Sequence, residues 1–255
     1  MAAMAGNGEP VLLEQLSWTD VHALVERGMR LCILPAGATE QHGPHLPLNV
    51  DTLAAAFVSR EVSRRTGVPV LPPLAYGCSL GHTRRWPGTF SVLPQTLASV
   101  AEEVMEWAIA AGFTRIAIFN HHATNFAPLR AALEMIRYHH PEAGVWLQNI
   151  YEASPRVLAE YTADAPDSHA AAAETSMLLA IAPELVRMDR AVDEPDRTVG
   201  RLFSYNVAQA SVSGVVGRPS TASREKGLKL IEMVVEDLTE KTLAALEEEP
   251  PDLRP

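Results

Sequence analysis

The chain is poor in cysteine, in basic charge and in long apolar runs, and each shortage excludes a class of protein. Cys32 and Cys78 are the only cysteines among 255 residues, so neither a disulfide framework nor a cysteine-rich zinc site can be built. Lysine and arginine total 21 against 31 aspartates and glutamates, a formal net charge of -10. Binding nucleic-acid phosphates needs clustered basic side chains, and the densest groups here are the pairs Arg64–Arg65 and Arg84–Arg85. Nucleic acid is therefore not an expected partner. No run approaches the roughly 18 apolar residues of a membrane span. The N-terminal MAAMAGNGEP lacks the basic and apolar segments of a secretory signal. With so little cysteine, the expectation is a cytoplasmic protein without a membrane partner. Aromatics are modest at 6%, but 47% hydrophobic and 20% charged residues are ordinary for a globular chain.

The length suits one large domain better than two small ones. Residues 1–10 read as a flexible leader, 249–255 as a flexible tail, and 11–248 as a single domain. Within it, short strand-like runs alternate with longer helical ones. The helix SWTDVHALVERG, starting at Ser17 or Thr19, precedes a strand over 30–37. Asp51 is placed to cap the next helix, which ends at Gly67. VPVLPPL (68–74) reads as a second strand, TRIAIFN (114–120) as a third and VWLQNIY (145–151) as a fourth. Helices are expected over about 93–112 and 125–138, from near His169, and over about 221–247. This alternation predicts an α/β fold in three layers, a mostly parallel central sheet with helices on both faces. Residues 186–219 carry no clear pattern and suit a lid, an oligomer contact or irregular packing.

Ligands of such folds bind beyond the carboxyl ends of the strands. His42, His45, His82, His121 and His122 all follow predicted strands, so separate loops deliver imidazoles to one sheet edge. In EQHGPHLPLNVDT (40–52), Glu40 and His42 are separated by one residue, and in an extended segment they point the same way. Asp51 follows after a bend around Pro44 and Pro47, where its carboxylate can return to the same place. Carboxylate with imidazole is a ligand set for zinc, manganese or iron. In NHHATN (120–125), one of His121 and His122 is a candidate ligand. In DSHAAAAETS (167–176), a helix starting near Ala170 would put His169 at its mouth and Glu174 about one turn inside. A lone carboxylate within AAAAETSMLLA would cost several kcal/mol to bury unless a cation compensated it.

These motifs, with YGCSLGHTRRWPGTFS (76–91) between them, resemble the creatininase (creatinine amidohydrolase) family over roughly residues 30–236. The resemblance implies a three-layer α/β fold, a two-metal site and hydrolysis of small, often cyclic, amides. It makes Glu40, His42 and Asp51 metal ligands, with Asp51 bridging, and selects His122 because His121 stands in a glycine's place. The family's glutamate two residues after that histidine is Thr124 here, so Glu174 becomes the replacement ligand. Ala171 replaces a glycine, Arg218 stands where many relatives have aspartate, and the tryptophan near the catalytic histidine is absent. His169 matches the family's acid/base histidine, and relatives form hexamers, so a homo-oligomer is expected.

Two divalent cations against Glu40, Asp51 and Glu174 leave one positive charge, which favours hydroxide over water between them. That hydroxide is expected to attack the carbonyl while His169, working with Glu174, protonates the departing nitrogen of a small-molecule substrate. Ser79, His82, Trp86 and Thr124 are candidate substrate contacts, and His45 is a candidate support behind the site. Two other readings remain open: a hydrolase of formamides, lactone-like or cyclic ketone rings or peptide termini, and a metal-stabilised binding protein without catalysis. No serine nucleophile elbow or phosphate-binding loop occurs.

Overall fold

Alternation of apolar side chains along two strands divides the interior into two cores. The structure, a computed structural model, describes residues 8–165, 168–249 and 251; residues 1–7 of the expected leader, and 250 and 252–255 of the tail, lie outside it. The elements run α1 (Trp18–Glu26), β1 (Leu31–Ala36), α2 (Val50–Thr66), α3 (Pro94–Ala110), β2 (Arg115–Asn120) and α4 (Phe126–His139). There follow β3 (Gly144–Asn149), α5 (Pro155–Tyr161), α6 (Ala172–Ile181), α7 (Val207–Ala210) and α8 (Arg224–Glu247). The strands pair in parallel in the order β1-β2-β3, with Leu31 opposite Arg115 and Arg115 opposite Gly144. Leu31, Ile33, Ala117 and Phe119 point to one face and pack with apolar residues of α2, α5, α6 and α8. Cys32, Leu34, Ile116 and Ile118 point to the other, against α3 and α4. Period-two alternation on a strand buried on both faces produces this three-layer packing. No described helix is long and apolar enough to cross a membrane.

The expected strand at 68–74 is corrected to a chain of bridges. Ile33 N–H donates to the Pro69 carbonyl (2.9 Å) and Leu71 N–H to the Ile33 carbonyl (2.8 Å), while Leu74 N–H reaches Pro35 (2.9 Å). Pro69, Pro72 and Pro73 have no N–H, so a continuous ladder cannot form and only Val70 and Leu74 bridge to β1. The segment still lies beside β1, opposite β2. Chain leaving β1 and chain leaving β2 therefore diverge, which makes the carboxyl end of β1 a topological switch point, where α/β sheets bind ligands.

Two local features aim the motifs at that point. A Cβ on Gly37 would sit 2.5 Å from Thr52 N, so its missing side chain lets the first turn of α2 press against the end of β1. Asp51 is not the helix cap: Asn49 precedes the helix, and Asp51 lies inside the first turn, buried and turned toward the histidines. The α6 helix starts at Ala172, two residues later than expected. Ala170 takes a left-handed φ of +52°, and its N–H donates to Glu174 Oε2 at 2.6 Å.

Residues 186–219 are mostly irregular and pack over the site. His169 and Val216 exchange backbone hydrogen bonds of 3.0 and 2.8 Å, and Glu194 and Gly217 form a second bridge. Glu194 holds the segment together by accepting from Ser211 Oγ (2.9 Å), Val212 N–H (2.8 Å) and Ser213 N–H (2.8 Å).

Candidate metal centre

The loops after β1 and β2, the start of α2 and the mouth of α6 bring Glu40, His42, Asp51, His121, His122, His169 and Glu174 together. Asp51 is at the centre, 1% exposed. Its Oδ1 lies 3.5 Å from His42 Nε2 and 3.2 Å from His121 Nδ1, while Oδ2 lies 3.2 Å from His122 Nδ1. Glu40 Oε2 is 3.4 Å from His122 Nε2, and Glu174 Oε1 is 3.9 Å from His42 Nε2. The sequence left open which of the two adjacent histidines faces the site; both do, one on each oxygen of Asp51.

Hydrogen bonds at the back of the rings orient them. His42 Nδ1 is 3.1 Å from the Glu40 carbonyl, which can only accept, so the proton sits on Nδ1 and Nε2 faces the carboxylates. His122 Nε2 is 3.0 Å from the Cys78 carbonyl and 2.6 Å from Thr124 Oγ1, with Ser79 Oγ at 3.1 Å. Thr124 also donates to the Cys78 carbonyl. His169 Nε2 is 2.9 Å from the Gln41 carbonyl, leaving Nδ1 toward Glu40 Oε1 at 3.7 Å. His45 sits behind the cluster, with Nε2 2.9 Å from Thr175 Oγ1.

Electrostatics show a site short of positive charge. Burial foremost, with the neighbouring Asp51 carboxylate, raises Glu40 to about 7 against the pull of His122 and His42. Burial works in the opposite direction on the imidazoles, but Asp51 and Glu174 hold His42 up at about 10, and Glu40 with Asp51 holds His122 at about 9. Asp51, despite its burial, is held well below the carboxylate range by the surrounding rings. His82 and His169 are pushed down by desolvation and by neighbouring imidazoles.

These residues fit divalent cations. Both oxygens of Glu40 are buried without a hydrogen-bond partner among the described residues, a costly arrangement for a carboxylate unless a cation takes the place of the donors. Glu40, Asp51 and His122 form one group whose ligand atoms lie within 4.8 Å of one another; Asp51, His121 and Glu174 form another.

Of the residues expected to contact substrate, His82 and Thr124 line the adjoining cavity of about 740 Å³. Ser79 and Trp86 do not. Ser79 is 1% exposed and supports His122, and the Trp86 ring lies 6.4 Å from that of His82, beneath the Arg85 guanidinium. Two residues went unnoticed in the sequence. Gln41 lies inside the first motif, and its amide nitrogen reaches His82 Nδ1 (2.9 Å) and the Gly214 carbonyl (3.2 Å). Tyr161, at the end of the unforeseen α5, donates to Glu174 Oε1 at 3.0 Å.

Residues 14–242 match the family model described as Creatininase: Creatinine amidohydrolase. The chain belongs to the creatininase family. Among curated relatives, creatinine amidohydrolase of Pseudomonas putida is 31% identical over 262 residues, 94% of this chain and 98% of that protein. Mycofactocin precursor peptide peptidase of Mycolicibacterium smegmatis is 33% identical over 219 residues, covering 80% and 81% respectively. A solved mutant creatininase of Zn-Zn type superposes with a TM-score of 0.84 at 29% identity, covering 96% of this chain and 100% of that one. The creatininase fold expected from the motifs is thus the fold observed. Relatives that include a peptide peptidase leave the bond class of this creatininase-family chain wider than non-peptide amides.

Proposed function

We propose that this chain is a metal-dependent hydrolase that cleaves the C–N bond of a small, in the first instance cyclic, amide. The observation that carries the proposal is Asp51, a buried carboxylate with an imidazole against each oxygen, between the buried carboxylates of Glu40 and Glu174. Glu40, Asp51 and His122 would hold one divalent cation, and His42, Asp51 and Glu174 a second, with Asp51 common to both. Zinc, manganese or iron bound there would polarise a carbonyl oxygen and make water nucleophilic near neutral pH.

The chain's own groups then manage the proton. His169 is neutral at neutral pH because burial and His42 lower its affinity for a proton. With Nε2–H held by the Gln41 carbonyl, Nδ1 is the nitrogen free to take a proton from the attacking water. Having gained it, His169 delivers it to the departing nitrogen, which leaves as an amine. Glu174, fixed by Tyr161 and the Ala170 N–H, keeps the cluster in register. His82 and Thr124 are the proposed substrate contacts on the cavity wall. A homo-oligomeric assembly remains part of the proposal, as the family resemblance suggests.

A second reading, processing of a peptide terminus, is favoured by the cavity's size, larger than one small ring requires, and by the apolar Leu158, Val199, Phe203 and Tyr205 on part of its wall. Metal-stripped and metal-reconstituted protein assayed on creatinine, formamides, lactones and short peptides separates the readings. Metal-dependent turnover of an amide supports the proposal; a rate indifferent to metal removal refutes it.

A further inference from the structure

We propose that His121 is itself a metal ligand, joining His42, Asp51 and Glu174 around the second cation instead of packing behind a lone histidine of the pair. The inference rests on the two-cation reading above and adds a fourth side chain to one of its pockets.

Three observations carry it. First, β2 ends at Asn120, and the turn into the residues after it presents both His121 and His122 to one carboxylate, at 3.2 Å from Oδ1 and 3.2 Å from Oδ2. Second, the ring is held from behind. Tyr161 donates its hydroxyl proton to Glu174 Oε1, and its oxygen lies 3.5 Å from His121 Nε2, so Tyr161 spans a carboxylate and the far nitrogen of the ring. His121 Nδ1 is thereby turned onto Asp51 Oδ1 at 3.2 Å inside a buried pocket, the nitrogen placed to bind a cation there.

Third, the spacings suit one ion. Two donors each about 2.0–2.2 Å from a tetrahedral zinc lie about 3.3–3.6 Å apart. His121 Nδ1 and His42 Nε2 are 3.2 and 3.5 Å from the same Asp51 oxygen, and Asp51, His121 and Glu174 offer ligand atoms within 4.8 Å of one another, while His42 Nε2, 3.9 Å from Glu174 Oε1, lies a few tenths of an ångström outside the range. Two carboxylates and two neutral imidazoles around a divalent cation also sum to zero net charge, which a site this dry favours. In this chain, where Thr124 offers no carboxylate at the other end of the NHHATN motif, His121 fills the coordination.

The test is metal stoichiometry and ligand count. Metal-stripped wild type is titrated with zinc against a competing chelator, and the loaded protein is measured by elemental analysis after gel filtration. The expected result is two equivalents for wild type and one for His121→Ala, with the tighter equivalent unchanged. Tyr161→Phe, which removes only the partner behind the ring, should keep both equivalents at an affinity lowered by about 10- to 100-fold at most. X-ray absorption at the zinc edge of wild type needs no variant, and should report three imidazoles shared by two ions. Two equivalents in His121→Ala with unchanged affinity, or two imidazoles in wild type, overturns the ligand role while the two-cation reading stands. Fewer than two equivalents in wild type overturns that reading, and the inference with it.

Discussion

Replacing Asp51 by asparagine keeps the side chain's shape and removes the charge that three imidazoles share. In the metal-free protein His42 and His122 stay protonated at neutral pH because buried carboxylates, Asp51 foremost for His42 and Glu40 with Asp51 for His122, outweigh their desolvation. Breaking a buried ion pair by removing one partner costs about 3–5 kcal/mol. Here the rings can lose their protons instead of remaining uncompensated, so the expected loss is at the lower end, about 3 kcal/mol. At about 2–4 °C per kcal/mol for a chain of this size, Tm should fall by about 6–12 °C.

The pH dependence separates this cause from ordinary packing loss. A histidine whose folded pKa is raised contributes stability that is complete below its unfolded value of about 6.5. For His42 and His122 that contribution disappears as pH rises through about 9 and then about 10. Wild type should therefore lose its advantage over Asp51→Asn across that window. Urea unfolding of the chelator-treated pair, followed by circular dichroism near pH 6.5, 8 and 10, measures the gap. A gap constant to within about 0.5 kcal/mol over that range, the ordinary scatter of neutral substitutions, would refute the charge-sharing account of Asp51.

Three further outcomes follow from the same geometry. Metal must displace protons from His42 and His122, so apparent zinc affinity should rise by about tenfold per pH unit for each displaced proton between pH 6.5 and 8.5; calorimetry in buffers of different ionisation heat would detect the released protons. His169→Gln should lower kcat by about 10²- to 10⁴-fold while both metal equivalents remain, a split read by pairing steady-state kinetics with elemental analysis. In Gly227→Ala, the added Cβ would fall 1.8 Å from the Ser176 carbonyl oxygen, so α8 must move off α6. The cost should be about 3 kcal/mol in urea unfolding, with activity reduced because α6, which carries Glu174, loses its packing partner.

The layering was legible because it rests on short-range pattern. TRIAIFN occupies a strand buried on both faces, and a run of that length between a glycine and a polar loop has few other uses. The proline-rich 68–74 shows the limit of that logic: apolarity placed it beside β1, but three missing donors prevented a ladder, and only the pairing partner reveals which N–H groups matter. The clustering of the motifs was legible for a different reason. Carboxylates and imidazoles that are expensive to bury stand out after a strand, as Glu40, His42 and His122 do, or inside an apolar run, as Glu174 does. What the linear pattern concealed was angle. Whether Asp51 capped its helix or faced the cluster depended on the close approach of α2 to Gly37, a contact between loop and helix that spacing does not encode. His121 was obscured because the family resemblance puts a glycine in its place and so points to His122 instead. The chain turns directly after Asn120, so two consecutive rings converge on the two oxygens of one carboxylate, at a position that the family likeness gives to a glycine.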